Sequence, residues 1–234
     1  MNRRGVIVGA GFCIAGSVTG SVAAFSFPLR GLKSPFEHSK SSFSRIGSER
    51  AGVREIEPWV AKLIAAAESQ IGVTLIYDPA YADLTFPNGD IARERGVCTD
   101  VIVRAYRDAF GFDLQKAVNI DMKAHFRVYP KIWGLKRPDR NIDHRRVPNL
   151  QMFFRRRGAA LSVSDRPGDY RPGEIITQML PGNLPHIAFV SHRMSKDGKR
   201  PLLIHNIGSG TQLEDRLFAF PITGRYRFRP GAPH

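Results

Sequence analysis

Apolar residues recur every three to four positions in the middle of the chain, which is the spacing of helices with one buried face. Glycine and proline stand at the ends of these segments and mark where each helix starts or stops. The predicted helices cover Pro58–Ile71, the stretch between Gly96 and Gly111, Leu114–Phe126 and Asn149–Arg157. The first has a predicted buried face made of Val60, Leu63, Ile64, Ala67 and Ile71.

After Tyr170 the spacing changes to short apolar runs separated by glycine and proline, which predicts strands. The predicted antiparallel strands cover Gly173–Met179, Pro185–Ser191, Pro201–Asn206 and Gly224–Phe228. Helices followed by strands are typical of an α+β protein. The sequence therefore predicts a single α+β domain over residues 56–230, in which N-terminal helices pack on a C-terminal antiparallel sheet.

Residues 1–24 have the pattern of a signal peptide. Arg3 and Arg4 precede an uncharged run, and small residues around Ala24 offer a cleavage site. The competing interpretation is an uncleaved membrane anchor, because the run approaches the length of a bilayer span. Residues 25–55 are rich in Ser, Gly and Arg and are predicted to be a flexible lead. Both interpretations predict an exported domain, periplasmic or extracellular, that contacts a membrane only if the N-terminal segment stays uncleaved.

The chain has two cysteines, and Cys13 lies within the predicted signal peptide. Cleavage would leave Cys98 as a single thiol. Exported proteins normally pair their cysteines, so an odd one indicates an intermolecular bridge or a reactive thiol. The structural alternative is that Cys98 is a small buried hydrophobic residue, a common role for free cysteine.

The formal net charge is +14. Removal of the signal peptide would leave 33 basic and 21 acidic residues, so the basic character belongs to the remaining domain. A basic surface attracts polyanions at low salt. The arginines and lysines are scattered, however, and they form no aromatic–basic motif, so the sequence does not predict a specific nucleic-acid partner.

Cys98 is predicted to lie in the first turn of the second helix. There the helix dipole favours the thiolate, and the free first-turn amides can hold an oxyanion. His186 opens one predicted strand and His205 closes the next, so a meander can bring both into one region of the sheet. His186 would take the proton of Cys98 or form an ion pair with its thiolate, and His205 would orient His186. Asn206 is the alternative orienting residue, and it faces away from His205 because strand side chains alternate.

Two further residues are auxiliary candidates. Tyr77 lies in an irregular segment and would either line a cleft beside Cys98 or pin its loop to the core. Asp100 is better interpreted as a first-turn carboxylate that satisfies helix amides than as a catalytic acid. His144 is predicted to be a hydrogen-bonded surface residue, because no companion ligands stand at a metal-binding spacing. The predicted chemistry requires no metal and no organic cofactor.

Several long motifs resemble a bacterial family known as domain of unknown function 1287. They are Gly96–Asp100, Lys131–Pro138, Asn141–Leu150 and His205–Gly208. The order of a cysteine at a helix start, then Pro-His-Ile-Ala-Phe-Val, then Ile-His-Asn also resembles the NlpC-type, papain-like cell-wall cysteine peptidases. The segment Tyr129–Leu150 has no obvious counterpart in those peptidases.

These resemblances imply a papain-like fold in which Cys98 is the nucleophile, His186 the base and His205 the third polar residue. They imply an amidase or endopeptidase that cleaves peptidoglycan peptides through an acyl-enzyme. An acyltransferase or esterase that acts on another envelope substrate, and a catalytically silent cell-wall binding module, are the alternatives. The expected partner is peptidoglycan or another anionic polymer of the envelope.

Overall fold

A computed structural model describes residues 56–232, and the predicted signal peptide and the predicted flexible lead both lie outside this part of the chain. The α-helices are α1 (Pro58–Glu68), α2 (Cys98–Phe110), α3 (Leu114–His125) and α4 (Val147–Arg156). The strands are β1 (Ile76–Tyr77), β2 (Arg95–Gly96), β3 (Ala160–Leu161), β4 (Ile175–Leu180), β5 (Leu184–Met194), β6 (Pro201–Asn206), β7 (Thr211–Glu214) and β8 (Ile222–Tyr226). Within this described part, no helix has the length and apolar character needed to cross a bilayer.

Local signals explain most helix ends. α2 stops at Gly111, which has the left-handed backbone conformation that glycine adopts without strain. α3 starts at Asp113, whose side chain accepts a 3.1 Å hydrogen bond from the Lys116 amide. α4 starts two residues earlier than predicted because Pro148 occupies its first turn, where proline needs no backbone donor.

The predicted end of the first helix is wrong. α1 stops at Glu68, and Ile71 is 41% exposed instead of buried on the apolar face. The chain turns here because the buried Gln70 side chain donates a 3.0 Å hydrogen bond to the Val101 carbonyl of α2. A tertiary contact thus overrides a local helical pattern.

A six-stranded antiparallel sheet has the order β3-β8-β4-β5-β6-β7. β4, β5 and β6 form the predicted meander, and β8 returns to pair with β4 on the other side. The sequence missed β3 and β7, which are two and four residues long. A separate pair, β1 and β2, runs parallel and places Tyr77 opposite Gly96.

The two faces of this sheet contribute to different hydrophobic clusters. Ile187, Phe189 and Ile204 pack with the helices, and the aromatic ring of Tyr106 from α2 lies 5.9 Å from that of Phe189. Alternate residues such as Val190 belong to a smaller cluster with Leu217. Full burial of each large side chain contributes roughly 1.5–3 kcal/mol to folding. The helices and the sheet therefore hold the start of α2 in a fixed position against β5 and β6.

Candidate active site

The segment before Cys98 is fixed from two sides. Gly96 pairs with Tyr77 through β1 and β2, and its carbonyl accepts a 3.0 Å hydrogen bond from Asn206 at the end of β6. The Asn206 side chain also accepts a 3.1 Å bond from the Gly208 amide. Asn206 is therefore occupied by the backbone and orients neither histidine. Cys98 follows as the first residue of α2, the predicted position.

Asp100 closes the first turn of α2 as the sequence predicted, since its side chain accepts a 2.7 Å hydrogen bond from the Val97 amide. It also forms an ion pair with Arg145, whose guanidinium lies 3.0 Å from both carboxylate oxygens. Both side chains are at least 95% buried. Arg145 further donates to the carbonyls of Asp78 and Ala80. This guanidinium thus joins the helix start, the β1 loop and the Tyr129–Leu150 segment. No local sequence motif predicts this long-range role of Arg145.

The thiol of Cys98 is buried, and burial raises its pKa from 9.0 to about 12. The backbone N–H groups of Ile187, Thr99 and Cys98 itself act in the opposite direction and lower that pKa. The expected stabilisation of the thiolate by first-turn amides is therefore present, but the cost of burying a charge outweighs it. The raised pKa favours a protonated resting thiol, so of the two expected states it favours the one in which His186 takes the proton of Cys98.

His186 and His205 lie together, with 3.0 Å between His186 Nε2 and His205 Nδ1. Both side chains are almost fully buried. Burial, and secondarily the charge of His205, lowers the pKa of His186 to about 3. Burial also lowers the pKa of His205, while the neighbouring carboxylate of Glu214 raises it. His186 is therefore neutral near pH 7, the state that accepts a proton.

Glu214 extends this pair and was missed by the sequence analysis. Its Oε2 lies 3.2 Å from His205 Nε2, an ion-pair contact between two buried atoms that make no geometrically regular hydrogen bond in the described structure. The register of β6 against β7 pairs Leu203 with Glu214, so Glu214 and His205 share a face of the sheet. The sequence carried one signal for this position. Gln212 and Glu214 stand two residues apart after a glycine turn, which is the spacing of side chains on one face of a short strand.

The His186–His205 hydrogen bond and the His205–Glu214 contact together favour one set of ring protons. A carboxylate accepts only, so the tautomer that suits this contact carries its proton on His205 Nε2, facing Glu214. Neutral His205 then has a free lone pair on Nδ1, which accepts from His186 Nε2–H. The remaining nitrogen of neutral His186, Nδ1, is left without a proton. This arrangement makes His186 Nδ1 the basic atom of the group.

The structure brings Cys98 to the residues on either side of His186. The Ile187 amide faces the thiol, and Pro185 and Cys98 line the same cleft. No hydrogen bond joins the thiol to the His186 ring in the described structure. The thiol therefore contacts the backbone of β5 at the residue that follows His186 in the chain.

A cleft of about 320 Å³ opens at Cys98. One wall comes from the Tyr129–Leu150 segment, including Ile132, Trp133 and Arg146. The Arg146 guanidinium stacks 4.1 Å from the centre of the Trp133 ring and pairs with Asp143 at 3.1 Å. Most other lining residues are apolar, so the cleft offers an aromatic and aliphatic surface next to the thiol.

Tyr77 lines this cleft, in agreement with one of the two sequence interpretations. Burial, followed by the charges of Cys98 and Asp100, raises its pKa to about 12. Its hydroxyl is therefore protonated at neutral pH and has no hydrogen-bond partner in the described structure. Tyr77 can donate a hydrogen bond to a molecule bound in the cleft.

The prediction of a surface position for His144 is wrong. It is 2% exposed, and its Nδ1 has no hydrogen-bond partner in the described structure. Burial, and then the charge of Arg145, lowers its pKa to about 3. The reason is that residues 143–145 form a 3₁₀ turn packed between α2, α3 and α4. In the described part of the chain, no three His, Cys, Asp or Glu side chains form a metal-binding group.

The fold and the site define an α+β protein with a buried thiol at a helix start and a histidine pair on the adjoining sheet. Residues 64–228 match the family described as "Domain of unknown function (DUF1287)", and the chain belongs to this family. It is also 52% identical over 162 residues to the "Uncharacterized protein YijF" of Escherichia coli (strain K12). That alignment covers 69% of this chain and 78% of the relative. The resemblance to this family is confirmed, whereas kinship with NlpC-type peptidases stays a prediction.

Proposed function

We propose that this protein is an exported cysteine hydrolase with a papain-like, NlpC-like arrangement. Its substrate is an amide in the peptide part of peptidoglycan. The main support is the 3.0 Å bond between His186 and His205, because it gives neutral His186 an unprotonated Nδ1, and the amide of the next residue, Ile187, faces the Cys98 thiol. A thiol nucleophile, a base and a residue that orients the base are the groups that covalent acyl transfer needs.

In the proposed reaction, His186 Nδ1 accepts the proton of the Cys98 thiol as sulfur bonds to the carbonyl carbon. The oxyanion accepts hydrogen bonds from the Cys98 amide and the Tyr77 hydroxyl. His186 then gives its proton to the amine as the C–N bond breaks and a thioester forms. Water, deprotonated by His186, releases the acid and restores the thiol. Partial burial of these groups strengthens each electrostatic contact.

This mechanism starts from a neutral pair, in contrast to a preformed thiolate–imidazolium pair. The raised pKa of Cys98 and the lowered pKa of His186 both favour the neutral forms. Proton transfer must therefore accompany attack, and it depends on the thiol reaching His186 Nδ1. Substrate in the cleft would exclude water at the moment when this transfer takes place.

The apolar walls of the cleft favour a second candidate, an esterase or acyltransferase that acts on an apolar acyl group. Ile132 is 70% exposed at the cleft, and Trp133 and Pro185 line it. Exposed apolar side chains around a pocket mark a ligand surface. The same thioester would form, and only the leaving group and the acceptor would differ.

The deciding experiment incubates purified peptidoglycan fragments with the full-length protein and analyses the products by mass spectrometry. Cys98→Ala serves as the matched control, and circular dichroism checks its fold. New fragments that appear only with the wild-type thiol support the proposal, and their masses identify the bond. If neither protein cleaves muropeptides while the wild type releases p-nitrophenol from acyl esters, the amidase proposal is wrong and the esterase stands.

A further inference from the structure

A second pocket lies on the other side of the Tyr129–Leu150 segment. Its volume is about 980 Å³, and it lies between α3 and residues 134–141, with Tyr81 and Phe86 completing the wall. We call it the basic pocket. It shares no lining residue with the Cys98 cleft, although the same segment contributes to both.

The charge of the basic pocket is strongly positive. Four cationic side chains line it, and none of them has an ion-pair partner in the described structure: Lys123, Lys136, Arg137 and Arg140. The one lining carboxylate belongs to Asp139. It already accepts hydrogen bonds from the Tyr81 hydroxyl at 3.2 Å and from the Asn141 amide at 2.9 Å. Other lysines and several other arginines of the described structure also lack a carboxylate partner, so the distinguishing feature is the gathering of four such cations around one pocket, which leaves it with an unbalanced positive charge.

Asn119 of α3 provides an independent observation. It lines the basic pocket, is 97% buried, and makes no hydrogen bond to any described residue. Buried polar side chains are normally hydrogen-bonded. The amide atoms of Asn119 are not among the fully enclosed atoms without a partner, so what exposure this side chain keeps is towards the pocket that it lines. An amide offers both donors and an acceptor. A buried amide of this kind, below four unpaired cations, is suited to a polar, anionic ligand.

We infer that the basic pocket binds a multivalent phosphate group. Four cations against one engaged carboxylate favour a dianion or diphosphate over a single carboxylate. Arginine also forms bidentate hydrogen bonds with phosphate oxygens. The volume leaves room for the rest of a larger molecule. The phosphate would belong either to a sugar of an envelope polymer or to a lipid headgroup, and both present the same chemistry to the pocket.

The inference goes beyond the proposed hydrolase and does not rest on turnover at Cys98. Titration of the full-length protein with inorganic pyrophosphate, followed by NMR, should shift the side-chain amide signals of Asn119. Asn119→Asp keeps the side-chain shape but adds a negative charge, and it should weaken pyrophosphate binding at least tenfold. Cys98→Ala should bind pyrophosphate as the wild type does.

A double replacement of Lys136 and Arg137 by Gln should also weaken binding at least tenfold. The matched control replaces Arg193 and Lys196 by Gln, which removes the same charge from the exposed hairpin between β5 and β6. If the control weakens binding as much as the pocket variant, pyrophosphate responds only to overall charge and the inference is wrong. It is equally wrong if Asn119→Asp binds normally.

Competition against pyrophosphate then distinguishes the two sources of the phosphate. Displacement by glucosamine 6-phosphate indicates a phosphorylated sugar. Displacement by phosphatidylglycerol vesicles, with phosphatidylcholine vesicles as control, indicates a lipid headgroup. Either displacement supports the basic pocket as a phosphate site, provided that Asn119→Asp abolishes it.

Discussion

His205 Nε2 lies 3.2 Å from Glu214 Oε2, across the neighbouring strands β6 and β7. Because the same imidazole meets His186 through Nδ1 at 3.0 Å, one carboxylate determines the proton positions on two rings. Glu214 is therefore a positioning residue in our proposal: it acts through His205 and touches neither the thiol nor the substrate.

Replacement Glu214→Gln tests this role. The Glu214 carboxylate raises the pKa of His205 against burial, so its loss should lower that pKa further. A glutamine can also present its NH₂ group, which removes the preference for a proton on His205 Nε2. Nitrogen NMR of the ring should show a mixed tautomer, and kcat should fall about 100-fold, within the range of general base catalysis, at nearly unchanged KM.

Glu174→Gln is a suitable control, because Glu174 is a buried carboxylate paired with Arg225 away from the thiol. It should affect stability without altering the tautomer of His205. An unchanged His205 tautomer in Glu214→Gln would remove Glu214 from the mechanism.

Alkylation of Cys98 reports its protonation. The pKa shift from 9.0 to about 12 lowers the thiolate fraction about 1,000-fold at any pH well below 9. Iodoacetamide should therefore modify native Cys98 at least 100-fold more slowly at pH 8 than it does in urea, and the rate should rise tenfold per pH unit. Peptide mapping separates Cys98 from Cys13. Fast alkylation that is independent of pH between 6 and 8 would instead indicate a thiolate–imidazolium pair.

The pair of Arg145 and Asp100 is predicted to be a major stabilising contact. Arg145→Ala leaves a buried carboxylate without its partner, which should lower the free energy of unfolding by about 3–5 kcal/mol. Urea denaturation measures this loss. Adding Asp100→Asn removes the stranded charge and should restore part of the stability, since asparagine still accepts the Val97 amide bond.

An exposed pair provides the comparison. Arg93 and Asp108 lie 2.6 Å apart at the surface, so Arg93→Ala should cost less than about 1 kcal/mol. Equal losses for the two arginines would show that burial adds nothing to the Arg145 contact.

His144 should make the protein sensitive to acid. The pKa of His144 is about 3 in the folded protein and about 6.5 in the unfolded chain. Between these two pH values the unfolded chain binds a proton at His144 and the folded protein does not. Stability should therefore be fully present above pH 6.5 and fall as the pH drops towards 3, by about 1.4 kcal/mol per pH unit for this group. His186 adds a similar dependence.

Urea titrations between pH 4 and 7 check this slope. His144→Gln should reduce the slope by the contribution of one proton, whatever its effect on stability at neutral pH. His192→Gln, at an exposed strand position, controls for the loss of a histidine. A slope that is unchanged in His144→Gln would mean that His144 is protonated in the folded protein.

Local chemistry made much of this fold predictable. Gly111 and Pro148 mark helix ends through their own backbone preferences, and the apolar runs of β4 to β6 need no distant information. The order of the strands in the sheet could not be predicted, because the sequence contains no signal that β8 returns to pair with β4. β7 was missed since a four-residue strand with polar positions resembles a turn.

The sequence indicated candidate residues for the site but not their electrostatics. Cys98, His186 and His205 carry recognisable chemistry and stand at element ends. The pKa of Cys98 depends on burial by distant side chains, and so does the buried position of His144. Arg145 and Glu214 gain their roles from partners in other elements, which no spacing along the chain reveals.

The hydrogen bond from Asn206 to the Gly96 carbonyl joins residues 110 positions apart in the chain. Helices α1 to α4 depend largely on local contacts, whereas this contact must close a long loop and forms slowly for entropic reasons. A chain shortened before β6 would therefore retain the nucleophile helix and His186 on β5, but it would lack His205 and Glu214, the residues that orient His186 in our proposal. Nucleophilic function in this protein should emerge late in folding, as a single event that coincides with docking of the last strands.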